Sequence, residues 1–518
     1  MEGRNMDNSI GKKLFRVTLT IVIVSVIAKL TSFISEIVLA ACLGSDYRGD
    51  AYYMVSNIQM VIYPSFSVGI WKVFLPLYKG KSAQGRMDGA NTITNQTISF
   101  FFITASAAVV LLILFAEPLV SLVAPGFPPQ ANALCVKLVR LSAPMYLFIA
   151  IAAVYAAILQ ANNRFFGSQV REVASHIPTI LAALFCYQKW GTEALAIALA
   201  VGGLVRLLIE LPFVNWGYRF HPDFRFRSSD FRLMLRRLPA ALTTEGISQL
   251  NALIDKAMAS TLPEGTISAL NYGHKLVNVF SGLLSGSIAT ALYPQTIEMI
   301  ALKKTEELGR LISKIIVIFL VMMVPLTTAS VLFRKELVTA VFQRGSFSAD
   351  STSLTAGIFA MYSLGLFFNA SNAVISNVYY GFGDTRIPMI IGMVSLAANT
   401  VLNVILIHLF RANGLALATS LAVMITFILR LALVRKYVRL NYHRMLQNFL
   451  KILVASAVAC FVPRILFWLC PANHWLTLIA SLLLGVGIYY SVVRLFRVKE
   501  LDDLLNLVTE RLRKNSRY

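Results

Sequence analysis

The chain has 518 residues, of which 57% are hydrophobic and only 14% are charged, and its mean hydropathy is +0.68. A soluble protein of this length needs far more polar surface to cover its core, so the composition indicates a polytopic membrane protein. The formal net charge is +22, but the basic residues lie in short loops between apolar runs. That distribution is typical of membrane proteins and does not favour nucleic acid as a partner.

Motifs for catalysis and for cofactor binding are missing from the sequence. The five cysteines lie in or at the ends of apolar segments, and no two are spaced as a CxxC pair. Neither HExxH nor GxxxxGK[ST] occurs, so nothing indicates hydrolysis or nucleotide-driven transport. We therefore expect no enzymatic activity, no cofactor and no metal site.

Apolar runs of about 20 residues, enough for one crossing of the hydrocarbon core, recur along the whole chain. They predict an all-α membrane protein with about fourteen transmembrane helices. The predicted spans are 14–43, 50–78, 91–123, 133–161, 166–187, 190–216, 238–262, 267–299, 308–333, 351–381, 386–409, 413–435, 446–470 and 474–496.

Positive charge alternates between successive loops of this prediction. Loops on one side are basic, whereas APGFPP (124–129) on the other side has no charge and LPEG (262–265) has only Glu264. The positive-inside rule then puts both termini in the cytoplasm. The richest exception is the external loop between the ninth and tenth helices, which carries Arg334, Lys335 and Arg344.

A weak internal repeat predicts two lobes of six helices each in the same orientation. IWKVFLP (70–76) and IATALYP (288–294) end corresponding helices, and a stretch rich in serine and glycine precedes each. Parallel repeats of this kind are typical of transporters that rock around a central cavity. The predicted parts are an N-lobe (1–220), a cytoplasmic amphipathic linker helix (221–237), a C-lobe (238–437), helices thirteen and fourteen (438–497), and a cytoplasmic amphipathic tail (498–518).

The first span contains a lysine near its middle: IVIVSVIAKLTSFISEIVLAACLG (21–44) carries Lys29. A lysine at the bilayer centre costs roughly 2.5–3.5 kcal/mol on insertion scales. Glu36 lies about 10 Å further along the helix axis, beyond one turn. We therefore expect Lys29 to line a wet cavity and to meet an anion there.

Other ionisable and amide side chains fall inside the predicted spans, where they usually face a bundle interior or a water-filled cavity. A structural reading remains open for several of them. Asp255 would pair with Lys256 or Lys275, Lys72 would extend to the inner surface, and Arg206 with Glu210 would form a pair one turn apart. The predicted substrate-binding residues are Lys29, Lys275, Lys256, Asn57 and Asn278, and the candidate ion or proton sites are Asp50, Glu36 and Asp255.

Short motifs in a fixed order cover nearly the whole chain, and with them the chain resembles the MurJ (MviN) family of the multidrug/oligosaccharidyl-lipid/polysaccharide exporter superfamily. The resemblance implies a lipid II flippase, which moves the undecaprenyl-pyrophosphate-linked peptidoglycan precursor across the bacterial cytoplasmic membrane for cell wall synthesis. The motifs are LGSDYRGDAYY (43–53), FLPLY (74–78), APGF (124–127), ILQANNRF (158–165), ISALNYGHKLVNVFSGLL (267–284), ALYP (291–294), VFQRGSFS (341–348) and GDTRIP (383–388).

The resemblance also implies roles for single residues. Lys29 matches a family arginine in the first helix, Asp50 matches an aspartate at the start of the second, and Lys275 matches a basic residue in the eighth. In the family these belong to a cationic central cavity that receives the anionic head group. Helices thirteen and fourteen are taken to form a groove for the lipid tail.

Three positions depart from the family pattern, and two lost arginines outweigh one lost acidic residue, so the predicted cavity is less basic. Ser35 and Tyr63 stand where arginines are frequent, and Asn278 stands where an acidic residue is usual. A flippase for another polyprenyl-linked oligosaccharide therefore remains an alternative. A cation-coupled drug antiporter is a third, although such a cavity would be acidic and aromatic. Coupling to the membrane potential or to Na⁺ or H⁺ stays open.

The predicted topology can be tested by cysteine labelling. Cysteines placed in the 124–130 and 262–266 loops should react with an impermeant maleimide added outside the cell, above the background of the five native cysteines. A cysteine near residue 230 should not react, because the basic linker is expected in the cytoplasm. External labelling near residue 230 would contradict the two-lobe arrangement.

Overall fold

The computed structural model describes residues 2–162, 164–214, 218–469 and 474–498. The fold is 86% helix, and no strand occurs in those ranges, so the predicted all-α class is confirmed. A π-helical turn (Ala182–Cys186) lies between α7 and α8. The helices are α1 (Glu2–Leu43), α2 (Tyr47–Ala83), α3 (Met87–Leu114), α4 (Ala116–Val123), α5 (Pro129–Ser142), α6 (Met145–Ala161), α7 (Phe165–Leu181), α8 (Tyr187–Val214), α9 (Ser229–Ala259), α10 (Thr266–Ala301), α11 (Thr305–Leu332), α12 (Arg334–Phe342), α13 (Ala349–Ser363), α14 (Leu366–Gly381), α15 (Arg386–Phe410), α16 (Ala412–Val434), α17 (Tyr442–Leu469) and α18 (His474–Leu495).

Nine helical stretches in the described ranges are long and apolar enough to cross a membrane, or ten if the bent pair α5–α6 counts as one crossing. One of them, Gln169–Val214, has 46 residues, roughly 70 Å at 1.5 Å per residue and so enough for two crossings. The long helices α2, α9 and α10 are not among these stretches. A multi-pass membrane protein is therefore shown, whereas the count of fourteen stays a prediction.

Several predicted spans are broken helices. The predicted 91–123 span divides at Phe115 into α3 and α4, and the 133–161 span divides before Met145 into α5 and α6, which meet at 42°. Pro144 explains the second break, because proline lacks the N–H group that continues a helix. In α8 the break is at Gly191, whose φ of 59° is outside the helical region.

The basic stretch 221–237 differs from the linker helix predicted for it. Residues 218–228 are not helical, and the helix that follows, α9, begins at Ser229 and continues without interruption to Ala259. Ser228 caps it, because its hydroxyl accepts a hydrogen bond from the backbone N–H of Phe231 at 3.2 Å. The prediction of a separate linker helix over 221–237 is therefore wrong. The pattern of charges in this stretch does not reveal that one of its serines caps a helix.

Hydrogen bonds connect the non-helical part of this stretch, residues 221–228, to α3. The backbone N–H of His221 donates to Asn95, and the backbone N–H of Asp223 donates to Ser99. The backbone N–H of Arg225 in turn holds the pKa of the Asp223 carboxyl below its ordinary value. These bonds satisfy backbone groups that a helix would otherwise have satisfied.

The chain forms two compact units, and the first comprises Met1–Ser268 together with Arg344–Ser348. In it, α2 packs along α9 and against α6, around a core that includes Phe74, Tyr78 and Val154. The segment Arg344–Ser348 joins this unit through a hydrogen bond of 2.7 Å from the backbone N–H of Ser346 to the carbonyl oxygen of Ala41. This unit extends through α9, so its bounds differ from those of the predicted N-lobe, which stays a prediction.

The second unit comprises Ala269–Gln343 and Ala349–Tyr518. Here α11 packs against α17, and α17 packs against α18, so the two extra C-terminal helices attach to this unit through α11. The hydroxyl of Tyr489, on α18, also donates to the carbonyl oxygen of Val321, on α11, at 2.7 Å. Apart from Val498, the predicted amphipathic tail (498–518) lies outside the described residues. The side chains of 63–69 and 282–291 in the repeat also lie outside them.

Candidate functional site

The start of α2 is fixed by a capping aspartate. Asp46 accepts hydrogen bonds from the backbone N–H groups of Arg48 and Gly49, at 2.9 and 3.2 Å. Its other oxygen binds the guanidinium of Arg48. Because the helix begins here, Asp50 lies in its first turn, where the helix dipole favours a negative charge.

Asp50 is buried and its carboxylate accepts three hydrogen bonds from the beginning of α10. The backbone N–H of Gly265 donates to Oδ2 at 2.7 Å. The backbone N–H and the hydroxyl of Ser268 donate to Oδ1 at 2.8 and 2.7 Å. Only 5% of the residue is exposed. A single charge thus complements the N-terminal ends of two helices, an arrangement that suits an anion.

Two glycines make this close approach possible. Gly265 has a φ of +86°, and a Cβ there would collide with the carbonyl oxygen of Ser45. A Cβ on Gly49 would lie 2.6 Å from the hydroxyl oxygen of Ser268. Only glycine combines this backbone conformation with this spacing. The turns that carry Asp50 and its partners therefore have little freedom to change residue.

Two more acidic residues and a lysine lie near Asp50 in the same unit. The ammonium of Lys256 donates to the carbonyl oxygen of Ile267 at 3.4 Å and lies in the electrostatic field of Asp255, Asp50 and Glu36. All four charged residues are at most 9% exposed. We call Glu36, Asp50, Asp255 and Lys256 the carboxylate cluster. It brings together every predicted ion or proton site and one predicted substrate contact.

The hydroxyl of Tyr53 donates to Oε1 of buried Glu36 at 2.6 Å, which satisfies one carboxylate oxygen of the cluster. With three acids and one base, the cluster carries excess negative charge when all four groups are ionised. Acidic side chains inside a membrane protein are typical of proton or ion sites, so a proton or a small cation is the ligand that suits the cluster. No group of three metal-type ligands is found among the described side chains.

The remaining predicted substrate contacts divide into accessible and buried residues. Lys29 and Asn278 are exposed, and Lys275 is half-buried. The amide of Asn278 lies 3.1 Å from Nδ1 of His274, on the preceding turn of α10. Asn57, in contrast, is buried, and its amide donates to the backbone carbonyl of Tyr53 at 2.6 Å. Lys29, Lys275 and Asn278 therefore keep part of their surface exposed, whereas the amide of Asn57 binds within α2.

Arg206 and Glu210 do not form the pair that their spacing predicts. Glu210 binds Arg171 at 2.6 Å, and the guanidinium of Arg206 binds Glu172. Both partners belong to α7, whereas Arg206 and Glu210 belong to α8. The four charges therefore join two helices. The structural role expected for the pair fits this network, but its partners were wrong because a spacing of four residues reports only neighbours on one helix.

Comparison with known proteins now identifies the family. A family model described as "Lipid II flippase MurJ" matches residues 39–484. That is most of the chain. The chain belongs to the lipid II flippase MurJ family.

Individual relatives agree with this assignment. The chain is 26% identical over 489 residues to a protein of Thermotoga maritima described as "Probable lipid II flippase MurJ", covering 92% of this chain and 96% of that protein. A solved structure of the lipid II flippase MurJ in an inward closed conformation superposes with a TM-score of 0.79 at 22% identity, covering 94% and 100% of the two chains. An inward-facing multidrug resistance MATE transporter of the MOP superfamily gives 0.67 at 14% identity, covering 83% and 98%. At these identities both structures show the fold alone.

The MurJ resemblance was visible in the sequence, but the partners of Asp50 were not. Gly265 and Ser268 lie 215 and 218 residues further along the chain. The available signal was a turn pattern, Pro263 followed by Gly265, at the start of a long helix. Tyr53, which donates to Glu36, was easier to find as a residue of this region, because it lies one helical turn after Asp50.

The bonding of Asp50 predicts that Asp50→Asn destabilises the protein. The amide would face a backbone N–H with its own N–H₂ group, so a buried donor would lose its acceptor, at a cost of about 2 kcal/mol or more. Asp46→Asn is the matched control. Asparagine caps a helix as well as aspartate does, and only an exposed ion pair is lost, so the cost is below about 1 kcal/mol.

Thermal unfolding of the two purified variants in detergent would measure this difference. A clearly lower midpoint for Asp50→Asn than for Asp46→Asn is expected. Equal midpoints would show that the three hydrogen bonds of Asp50 contribute little to the fold.

Proposed function

We propose that this protein is a flippase that carries lipid II from the inner to the outer leaflet of the bacterial cytoplasmic membrane. The family match supports the class of activity. The observation that carries the proposal for this chain is the position of Lys29, an exposed residue on a helix long and apolar enough to span a membrane. Basic residues at such positions are typical of substrate or ion pathways in membrane proteins.

The chemistry of the cargo explains why cations are needed. A pyrophosphate cannot cross hydrocarbon unaided, because an unpaired charge is very costly to remove from water. Lys29 and Lys275 would bind its oxygens, and Asn278 would donate a hydrogen bond from the adjoining turn. Lys256 remains a predicted headgroup contact, but its burial beside three acids favours a role within the carboxylate cluster.

Alternating access would act on the bonds of Asp50. In the predicted division Asp50 belongs to the N-lobe, while Gly265 and Ser268 belong to the C-lobe. Rocking of the lobes along this predicted division would break the three hydrogen bonds, although the structure places all three residues in one compact unit. Uptake of a proton or a small cation by Asp50 would weaken them, because the carboxylate becomes a poorer acceptor. This is the coupling step we propose, and Glu36 and Asp255 are the other candidate sites for the proton or cation. A membrane potential supplies about 2.3 kcal/mol per charge per 100 mV for the return.

The lipid tail would lie along α17 and α18. Both helices expose many large apolar side chains, which suits contact with hydrocarbon rather than with water. The exposed residues on these two helices include Leu446, Leu450, Val454, Phe461, Ile465, Leu476, Ile479, Leu483 and Val486. The proposed arrangement therefore keeps the polyprenyl chain in lipid while the head group crosses inside the protein.

A second candidate is a flippase for another polyprenyl-linked oligosaccharide. Ser35, where family members often have arginine, is buried and neutral, and Asn278 is exposed and neutral. The cavity would then offer fewer charges to the head group than the family pattern does. A cargo that depends less on cation contacts, such as an exopolysaccharide or O-antigen precursor, remains compatible with these residues.

Depletion of the protein in its native host distinguishes the two cargoes. If the cargo is lipid II, this precursor should accumulate in the inner leaflet and the cells should lyse. If the cargo is another lipid-linked saccharide, the wall should stay intact while a surface polymer is lost. Extraction and mass spectrometry of the lipid-linked precursors give the answer, and growth without any precursor accumulating would contradict both proposals.

Lys29 provides the test at the level of one residue. Lys29→Ala should abolish flipping in a depletion strain while protein abundance stays near wild type, because the substitution also removes the insertion cost of the charge. Lys29→Arg should keep activity, since a guanidinium also binds phosphate oxygens. Lys72→Ala, which removes an exposed lysine from α2, is the control and should keep activity.

Two outcomes would count against the cavity role. Full activity of Lys29→Ala would exclude it. Recovery of activity in the Lys29→Ala/Glu36→Ala double variant would assign Lys29 to charge balance with Glu36 instead. We expect no such recovery, because Glu36 already accepts a hydrogen bond from Tyr53.

A further inference from the structure

A pocket of about 460 Å³ in the second unit is lined by residues that the proposed function does not use. It lies where α11 ends and α12 begins, against α17. It also explains the exception to the charge bias in the sequence, because two of the three basic residues of that loop, Arg334 and Lys335, line it. We call it the basic pocket, and its lining residues are Val331, Leu332, Arg334, Lys335, Glu336 and Arg464.

Arg464 is held rigidly in the wall of the basic pocket. Its Nη1 donates to Oε1 of Glu336 at 2.5 Å. Its guanidinium carbon also lies 5.3 and 5.5 Å from the ring centroids of Phe333 and Phe467, within the range of cation–π attraction. The guanidinium is therefore positioned before any ligand arrives.

Glu336 has an oxygen with unused hydrogen-bonding capacity. The residue is 9% exposed, and its Oε2 has no hydrogen-bond partner in the ranges that the structure describes. A buried carboxylate oxygen without a donor is costly, so a donor from outside the protein would stabilise it. The basic pocket thus lacks one hydrogen-bond donor at a defined atom.

The other two cations of the basic pocket lie where the dipole of α12 disfavours positive charge. Arg334 and Lys335 are exposed and occupy the first turn of α12, where the positive end of the dipole disfavours further positive charge. Three cations against one carboxylate leave excess positive charge in the pocket. An anion would relieve both effects at once.

The position of the basic pocket favours a lipid over a soluble anion. Val331 and Leu332 end one membrane-spanning stretch, Thr305–Leu332. Arg464 lies one turn before the end of another, Tyr442–Trp468. A headgroup that enters here keeps its acyl or polyprenyl chains beside those stretches. In the predicted topology this is the outer leaflet.

We propose that the basic pocket holds the phosphate-bearing headgroup of a lipid, whose neighbouring N–H or O–H group donates to Oε2 of Glu336. Arg334, Lys335 and Arg464 would bind the phosphate oxygens. Two sources share this chemistry: a resident phospholipid such as phosphatidylethanolamine, and the pyrophosphate lipid that the proposed flippase delivers. Only the second source depends on the proposed function.

Native mass spectrometry of the full chain in detergent tests the proposal. Phosphatidylethanolamine and phosphatidylcholine carry the same phosphate, but only the first has an ammonium that can donate to Glu336. We expect wild type to retain phosphatidylethanolamine preferentially and Glu336→Gln to lose that preference. Lys335→Gln should lower retention of both lipids about fivefold, the equivalent of about 1 kcal/mol per basic residue.

Lys189→Gln is the matched control, because Lys189 is also an exposed lysine at a predicted outer helix end but does not line the basic pocket. This variant should retain both lipids to the same extent as wild type. Circular dichroism and the unfolding midpoint of each variant show whether the fold is kept. Arg464 is left unchanged, since its contacts with two rings make it a packing residue as well.

A competition arm separates the two sources. In one outcome, undecaprenyl pyrophosphate displaces phosphatidylethanolamine from wild type but not from Lys335→Gln. This result would identify the delivered lipid as the occupant. Retained phosphatidylethanolamine in the presence of undecaprenyl pyrophosphate would identify a resident phospholipid, and this result stands even if the depletion experiment finds another cargo. Unchanged retention of every lipid in folded Glu336→Gln and Lys335→Gln would overturn the proposal.

Discussion

A buried carboxylate can persist in a membrane protein only if its charge is matched in place, and Asp50 shows what that requirement does to its surroundings. Three donors from the start of α10 surround it, at 2.7–2.8 Å. That geometry requires glycine at positions 49 and 265, where a side chain would collide with the opposite turn. It also places a negative charge within range of Lys256, which in turn lies in the field of Glu36 and Asp255. The carboxylate cluster thus depends on the position of one residue.

Local patterns in the sequence predicted the helices. A run of about twenty apolar residues spans the hydrocarbon core, and a helix satisfies its own backbone hydrogen bonds, so neither condition depends on distant parts of the chain. The boundary at Pro144 follows from the same local chemistry. The start of α9 at Ser229 does not follow from local chemistry. A serine can cap a helix there only if the backbone groups of the preceding residues are hydrogen-bonded elsewhere, and here they bind to α3. Apolar runs therefore predict that a helix is present, whereas tertiary contacts determine the residues at which it begins and ends.

The candidate residues were chosen by their depth in the predicted spans, and depth alone does not reveal what surrounds each of them. Lys29 and Lys256 look alike in the sequence, as lysines inside apolar helices. One is exposed and the other is enclosed by acids. Similarly, Arg206 and Glu210 are spaced for each other, yet each binds a residue of α7. Burial and partner choice are set by residues far away in the chain, which a single sequence does not bring together.

The hydrogen bond from Ser346 to Ala41 has a consequence for the order of assembly. Its acceptor lies at the end of α1, and Gly345 beside it would collide with Ala41 if it carried a side chain. At a synthesis rate of about 5–20 residues per second, the partner segment leaves the ribosome roughly 15–60 s after the end of α1. The first helix is therefore inserted long before its final contact exists. The first unit can be completed only after α12 of the second unit has been made, so the two units cannot mature strictly one after the other.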